Sequence, residues 1–148
     1  MNPTSNSASK KSIAIVVSDF NDEITGRMLA QAEDEAGKAG AAIAAVIHVP
    51  GAFDMPLVVA ELLERGDVQA VATLGAVIKG DTQHDDAVVQ ACAHALARAS
   101  IHYKKPVSLG IIGPGATHAQ ATARADEYAR RAVRAALRLI DAQKEARE

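Results

Sequence analysis

The chain has no tryptophan and only two phenylalanines and two tyrosines among its 148 residues. An aromatic core is therefore excluded, and the apolar 49% must be built largely from alanine, valine, isoleucine and leucine. Such side chains suit helices laid on a β-branched sheet. There is one cysteine, Cys92. A single thiol rules out an intrachain disulfide and makes a reducing compartment the simplest setting. Cys92 itself stands among Ala and Val in a helical pattern and reads as a small buried hydrophobe. An excess of charge of one sign is lacking too, since acids and bases are mixed along the chain and the formal net charge is −2. No long-range field draws in nucleic acid or an anionic membrane, so any anionic ligand needs a local site. No apolar run approaches the roughly 18 residues that cross a bilayer. Residues 1–11 are rich in Ser and Asn, with neither the apolar segment of a secretory signal nor the alternation of a strand. They are expected to be a disordered tail on a cytoplasmic protein. With no composition shift, linker or internal repeat, residues 12–148 are expected to form one domain.

What the chain does contain is a regular exchange of two periodicities. Ser12–Ser18 is a continuous β-branched apolar run, the pattern of a strand buried on both faces. Asn21 or Asp22 is placed to cap the helix that follows, in which Ile24, Met28, Leu29, Ala32 and Ala36 recur at helical spacing until Gly40 ends it. Residues 43–49 read as a second strand, stopped by Pro50-Gly51. Residues 53–65 read as a helix with Pro56 in its first turn and Gly66 as its C-cap. Ala70–Ile78 is the third strand. Residues 82–103 form a long helix whose Val88, Val89, Cys92, Leu96 and Ala99 face the core. After Pro106 a fourth strand covers residues 107–112. From Thr117 a helix runs to near the C-terminus, with Tyr128, Val133, Leu137 and Ile140 inward.

Four βα units with short connections require parallel strands and helices on both faces. The fold class is therefore a three-layer α/β sandwich of flavodoxin-like type, built on a four-stranded parallel sheet. Ligands of such sheets bind beyond the carboxyl ends of the strands. Four segments gather there: Asp19-Phe20-Asn21, Val49 to Asp54, Lys79 to His84, and Gly113-Pro114-Gly115.

Each unusual residue at that edge admits a functional and a structural reading. Lys79-Gly80-Asp81-Thr82 enters a helix whose free N–H groups favour an anion such as a small monophosphate; equally, Gly80 turns the chain and Asp81 or Thr82 caps the helix. No G-x-x-x-x-G-K-[ST] or G-x-G-x-x-G occurs, so triphosphate and dinucleotide sites lack their fingerprint. His84, near the positive end of that helix, reads as a proton acceptor held neutral or as a solvated polar residue. Phe20 is a stacking platform for a planar ring or a lid over the sheet edge. Asp54 accepts ligand hydroxyls or complements its helix dipole. Arg124 stands among alanines, where most arginines are solvated. His48, His84, His94, His102 and His118 form no metal-ligating spacing, and Gly-x-Ser-x-Gly is absent.

Taken together, Val49-Pro50-Gly51-Ala52-Phe53-Asp54-Met55-Pro56, Gly75-Ala76-Val77-Ile78-Lys79-Gly80-Asp81-Thr82-Gln83-His84 and Gln120-Ala121-x-x-Arg124 resemble the lumazine synthase family, from about Ile13 to Leu139. His84-Asp85-Asp86 and the segment from Lys105 to Gly115 look most like its archaeal branch. The resemblance implies condensation of 5-amino-6-(ribitylamino)uracil with 3,4-dihydroxy-2-butanone 4-phosphate, with no metal or organic cofactor. Phe20 would then stack on the uracil ring beside Asn21. Asp54 would take ribityl hydroxyls, the backbone at Val77 and Ile78 would meet the pyrimidine, and Gly51, Ala52, Phe53 and Lys79 would also bind substrate. Gly80, Asp81, Thr82 and Arg124 would hold phosphate, and His84 would move protons. Leu109 and Arg124 would come from the neighbouring subunit of a homopentamer, which in some members assembles further into a sixty-subunit icosahedral shell.

The sequence departs from the family pattern at Asp54, where many members carry Glu, at Asp85, where an aromatic is frequent, and at Leu109, where Phe is frequent. A second basic residue after Arg124 corresponds to Arg130 or Arg131. Two rivals share the fold: archaeal-type riboflavin synthase, and a non-catalytic flavin-binding or shell-forming homologue.

Overall fold

The apolar run at 70–78 becomes the centre of the sheet. All nine residues of β3 (Ala70–Ile78) are buried. The computed structural model describes residues 10–81 and 83–148. Around β3 stand β1 (Ser12–Ser18), β2 (Ala42–Val49) and β4 (Val107–Ala116) in the order β2-β1-β3-β4, every pair parallel. Between them run α1 (Asp22–Lys38), α2 (Met55–Leu63), α3 (Asp85–Tyr103) and α4 (His118–Arg147).

The sheet buries both faces. On one, Ile13, Ile15, Ala72 and Leu74 pack with Ile24 and Met28 of α1 and Ala125, Ala129 and Val133 of α4. On the other, Val16 and Val71 pack with Met55 and Val59 of α2 and Cys92 and Leu96 of α3. Neither cluster contains a buried aromatic ring. The small residues of α4 set how near it lies to the sheet, and Gly110 meets it there. A Cβ on Gly110 would stand 2.5 Å from the Thr73 carbonyl oxygen and 2.8 Å from Ala132 Cβ, closer than side chains approach.

α4 is also tied to α1 by polar contacts. Arg27 forks onto Asp126 at 3.1 and 2.9 Å, Arg130 donates to Gln31 at 2.7 Å, and Arg134 reaches Glu35 at 3.3 Å. The Arg27 guanidinium, hydrogen-bonded to Asp126, holds that carboxyl below the usual carboxylate range. These groups lie at the surface and are only partly covered, so each contributes modestly to stability; they favour one facing of the two helices.

Several boundaries differ from the sequence reading. β4 continues through Gly113-Pro114-Gly115 to Ala116 rather than stopping at residue 112, because β4 is an edge strand, where a proline N–H is not needed, and Gly113 at φ 112 fits against the Val77 carbonyl. α3 starts at Asp85, three residues later than expected from Thr82. Asn21 occupies the cap position of α1 in the left-handed region, φ 63 and ψ 49, but makes no side-chain cap. Thr117 does cap α4, accepting from the Gln120 N–H at 3.1 Å and donating its own N–H to Gln120 Oε1 at 3.0 Å. α2 ends at Leu63, and Gly66 does not take a left-handed φ. The proposed tail overlaps the fold at its end: Lys11 pairs with Asp141 at 2.9 Å, and its carbonyl accepts the Ala42 N–H. Residues 1–9, and the phosphate role expected of Thr82, lie outside the described residues.

Gly110→Ala is expected to lower stability by roughly 1–3 kcal/mol, the usual cost of overpacking, read as a lower denaturation midpoint at unchanged slope.

Candidate active site

β1 lies between β2 and β3, so the chain reverses its direction across the sheet at that point. A crevice opens above the strand ends there. It is a cavity of about 290 Å³ walled by Phe20, Gly51, Phe53, Asp54, Val77 and Asp81, with Ser18, Pro50, Ala52, Ala76 and Val88 completing the lining. Phe20 and Phe53 remain 54% and 64% exposed, which leaves large aromatic faces for a planar or apolar partner. Sequence reasoning placed Ser18 at a strand end and Val88 on the core face of its helix, and assigned neither to the site. Both are ordinary residues of a strand end and a helix turn, and only the crossing of elements brings them here.

The loop that carries Phe20 is held to the next one by its backbone. The Asp19 N–H donates to Val49 O at 2.8 Å and the Phe20 N–H to Pro50 O at 3.0 Å. Above them Asp19 Oδ1 lies 3.0 Å from His48 Nδ1. In the second loop the Asp54 carboxylate accepts the Gly51 N–H at 3.0 Å, so one oxygen of this expected hydroxyl acceptor is engaged with its own turn.

The turn after β3 is organised differently from the expectation. Gly80 takes φ 89, and Asp81 folds back: its N–H donates to Ile78 O at 3.0 Å, and its Oδ2 accepts the Ile78 N–H at 2.9 Å. Asn21 Nδ2 donates to the same Oδ2 at 2.8 Å and to Ala76 O at 2.9 Å. One expectation is corrected by this, the capping of α3 by Asp81, since His84 holds the cap position. The Ile78 backbone is taken up by Asp81, which leaves Val77 as the wall residue available to a ring. The Asp81 carboxylate is a local acceptor, neither a helix cap nor a suitable ligand for an anion. Because α3 begins at Asp85, the positive helix end lies at 84–87 rather than at Gly80. His84 is the cap residue, exposed, with its carbonyl accepting the Val88 N–H at 2.9 Å. Lys79 is exposed, and its N–H donates to Ala116 O at 2.7 Å, which joins this turn to the end of β4.

Leu109 and Arg124 do not reach this cavity. Leu109, 51% exposed, lines a separate space of about 370 Å³ with Tyr128 and Arg131. Arg124 is exposed on α4 and, among the described residues, neither it nor Arg131 has a hydrogen-bond or ion-pair partner. Arg124, Tyr128 and Arg131 follow one another at spacings that put them on one stripe of the helix. Arg130, the other candidate for the second basic residue, is committed to Gln31 and Glu127. That division was not legible from composition, but helical spacing from Arg124 separates the two. Among the described residues there is no group of three or more His, Cys, Asp or Glu placed to hold a metal, and no helix long and apolar enough to cross a membrane.

A sequence model of the family described as 6,7-dimethyl-8-ribityllumazine synthase matches residues 10–144. The chain belongs to the lumazine synthase family. Among curated relatives carrying that name, a protein of Sulfolobus acidocaldarius is 49% identical over 95% of this chain and 89% of its own. One from Aeropyrum pernix is 52% identical over 90% and 91%, and one from Methanoculleus marisnigri 48% over 86% and 94%. The lumazine synthase match thus spans the cavity, the Gly80 turn and the α4 stripe together.

Cys92, on α3, closes the back of a small recess beside Phe53 and Pro56. It is 1% exposed, and burial pushes its thiol up to about 11. Its thiolate fraction near neutral pH should be roughly a hundredfold below that of a free thiol. Ellman titration is expected to leave it unreacted in the native protein and to count one thiol on unfolding.

Proposed function

We propose that the chain condenses 5-amino-6-(ribitylamino)uracil with 3,4-dihydroxy-2-butanone 4-phosphate to 6,7-dimethyl-8-ribityllumazine, releasing phosphate and water, as a step of riboflavin biosynthesis. The carrying observation is that the two family motifs, at 49–56 and 75–84, meet Phe20 around one cavity although they stand apart in sequence. An exposed phenylalanine, a neighbouring carboxylate and a glycine turn are what a planar ring with a polyol arm and a small phosphate require. Phe20 stacks on the uracil and Val77 meets its edge. Gly51, Ala52, Phe53 and Asp54 receive the ribityl chain, the free oxygen of Asp54 serving as acceptor. Gly80 and Thr82 take the phosphate, with Lys79 beside them, and His84 transfers protons as the imine forms and phosphate leaves. No metal or organic cofactor is needed for these steps.

The second half of the site comes from another copy of the chain. In one chain the cavity at Phe20 is distinct from the α4 stripe of Arg124, Tyr128 and Arg131 with Leu109 of β4 beside it, and the arginines of that stripe lack partners among the described residues. A homopentamer, alone or as the unit of an icosahedral shell, supplies the missing phosphate-binding arginine to each cavity. We place the enzyme in the cytoplasm, where its one thiol stays reduced.

Purified protein mixed with both substrates should form lumazine absorbance faster than the spontaneous reaction; a rate equal to it sinks the proposal. His84→Ala should slow turnover by about 10²–10⁴-fold without abolishing it, the usual worth of positioned proton transfer. Arg124→Ala should chiefly raise KM for the phosphorylated substrate. Co-expressing the two variants should recover about a quarter of the wild-type sites, because mixed rings place intact His84 opposite intact Arg124 in that fraction of interfaces. Absence of recovery argues for a site contained in one subunit.

A further inference from the structure

The Asn21–Asp81 contact joins two loops whose contents the proposed reaction uses separately, the aromatic loop after β1 and the glycine turn after β3. It rests on four hydrogen bonds in a half-buried setting: Asn21 Nδ2 to Asp81 Oδ2 at 2.8 Å and to Ala76 O at 2.9 Å, the Ile78 N–H to Asp81 Oδ2 at 2.9 Å, and the Asp81 N–H to Ile78 O at 3.0 Å. The left-handed conformation of Asn21, which asparagine tolerates better than most residues, aims its amide across the crevice instead of onto its own helix. The carboxylate of Asp81 satisfies the Ile78 N–H where the β3–β4 ladder shifts register, between Ala76 and Ile78.

We propose that Asn21 and Asp81 form a latch that fixes the distance between Phe20 and the Gly80 turn, so that Asp81 is a positioning residue of the reaction and not a phosphate ligand. A carboxylate repels a phosphate dianion, so its place in an anion-holding turn needs another cause, and the two donors that converge on Oδ2 provide it. Asn21 and Asp81 stand on different strand ends, next to Phe20 and Gly80 respectively. Loosening either one lets the ring platform and the anion turn drift relative to one another. Displacements of that kind cost rate because the reacting amine and carbonyl must be held together.

The inference rests on the proposed reaction for its kinetic test, and on hydrogen exchange for a test independent of it. Asp81→Ala and Asn21→Ala should each lower kcat/KM for both substrates roughly tenfold, the loss expected for one hydrogen bond to a charged group. The double variant should be no slower than the worse single one, since both remove the same contact. Asp81→Asn should recover the rate to within about threefold, because the amide oxygen still accepts from both donors. It should also lower KM for the phosphorylated substrate, since a charge beside the anion is gone. The Ile78 amide should be protected from exchange in the wild type and in Asp81→Asn and unprotected in Asp81→Ala, with the β1 amides protected in all three. Additive losses in the double variant, an Asp81→Asn as slow as Asp81→Ala, a loss confined to KM for the phosphorylated substrate, or an unprotected Ile78 amide in the wild type overturns the latch. A wild type that forms no lumazine removes the reaction but leaves the exchange result to decide the latch.

Discussion

The structure is governed by the complete burial of β3. A strand covered by helices on both faces must be apolar or have its polar groups paired, and β3, buried from Ala70 to Ile78, carries one polar side chain, Thr73, whose hydroxyl donates to Ser108 O at 2.8 Å. At its end the chain has to return to water within a few residues while its last backbone groups still need partners. Asp81 meets that need for Ile78, and in doing so bends the following turn toward β1 and Asn21. Gly80, at φ 89, sits inside the turn that the two Ile78–Asp81 hydrogen bonds close.

The layout of the sheet was legible because burial writes directly into periodicity. β1 and β3 are almost wholly apolar, and α1 shows Ile24, Met28, Ala32 and Ala36 at helical spacing; these residues are buried as expected. The carboxyl edge of the strands was legible as the place for a ligand, whereas the order β2-β1-β3-β4, which puts the reversal beside β1, comes from the structure. What could not be read were interactions set by direction rather than by pattern. Nothing in the string distinguishes an aspartate that caps the next helix from one that turns back three residues, and the cap reading of Asp81 failed for that reason. The strand expected over 107–112 runs on through Gly113-Pro114-Gly115 to Ala116, because on an edge strand a proline removes no needed hydrogen bond.

The arginines of α4 show how pairing sorts side chains that composition treats alike. Arg130 and Arg134 turn toward α1, where Gln31 and Glu35 meet them, and their charge is spent on helix facing. Arg124 and Arg131 stand on the stripe with Tyr128, beside the edge of the sheet, with no partner among the described residues. A chain with a net charge of −2 offers no general attraction for a phosphate, so the phosphate role proposed for Arg124 rests on local charge, to which Arg131 on the same stripe adds.

Geometry then forces the question of who uses that stripe. The side chain of an arginine spans a few ångströms, whereas Arg124 and the Phe20 cavity belong to different faces of the sheet edge, with Leu109 and Arg131 around a space of their own. Meanwhile the chain leaves Phe53 64%, Leu57 73% and Leu109 51% exposed, apolar surface lying on both sides of this division. Association that covers these residues gains the burial of large apolar side chains. If it sets the α4 stripe of one copy over the Phe20 cavity of the next, it also brings a cation to a turn that holds a carboxylate and so repels phosphate when alone. The same contact would then complete both the hydrophobic surface and the charge of the site, and the proposed latch within one chain and the proposed arginine from another would be complementary.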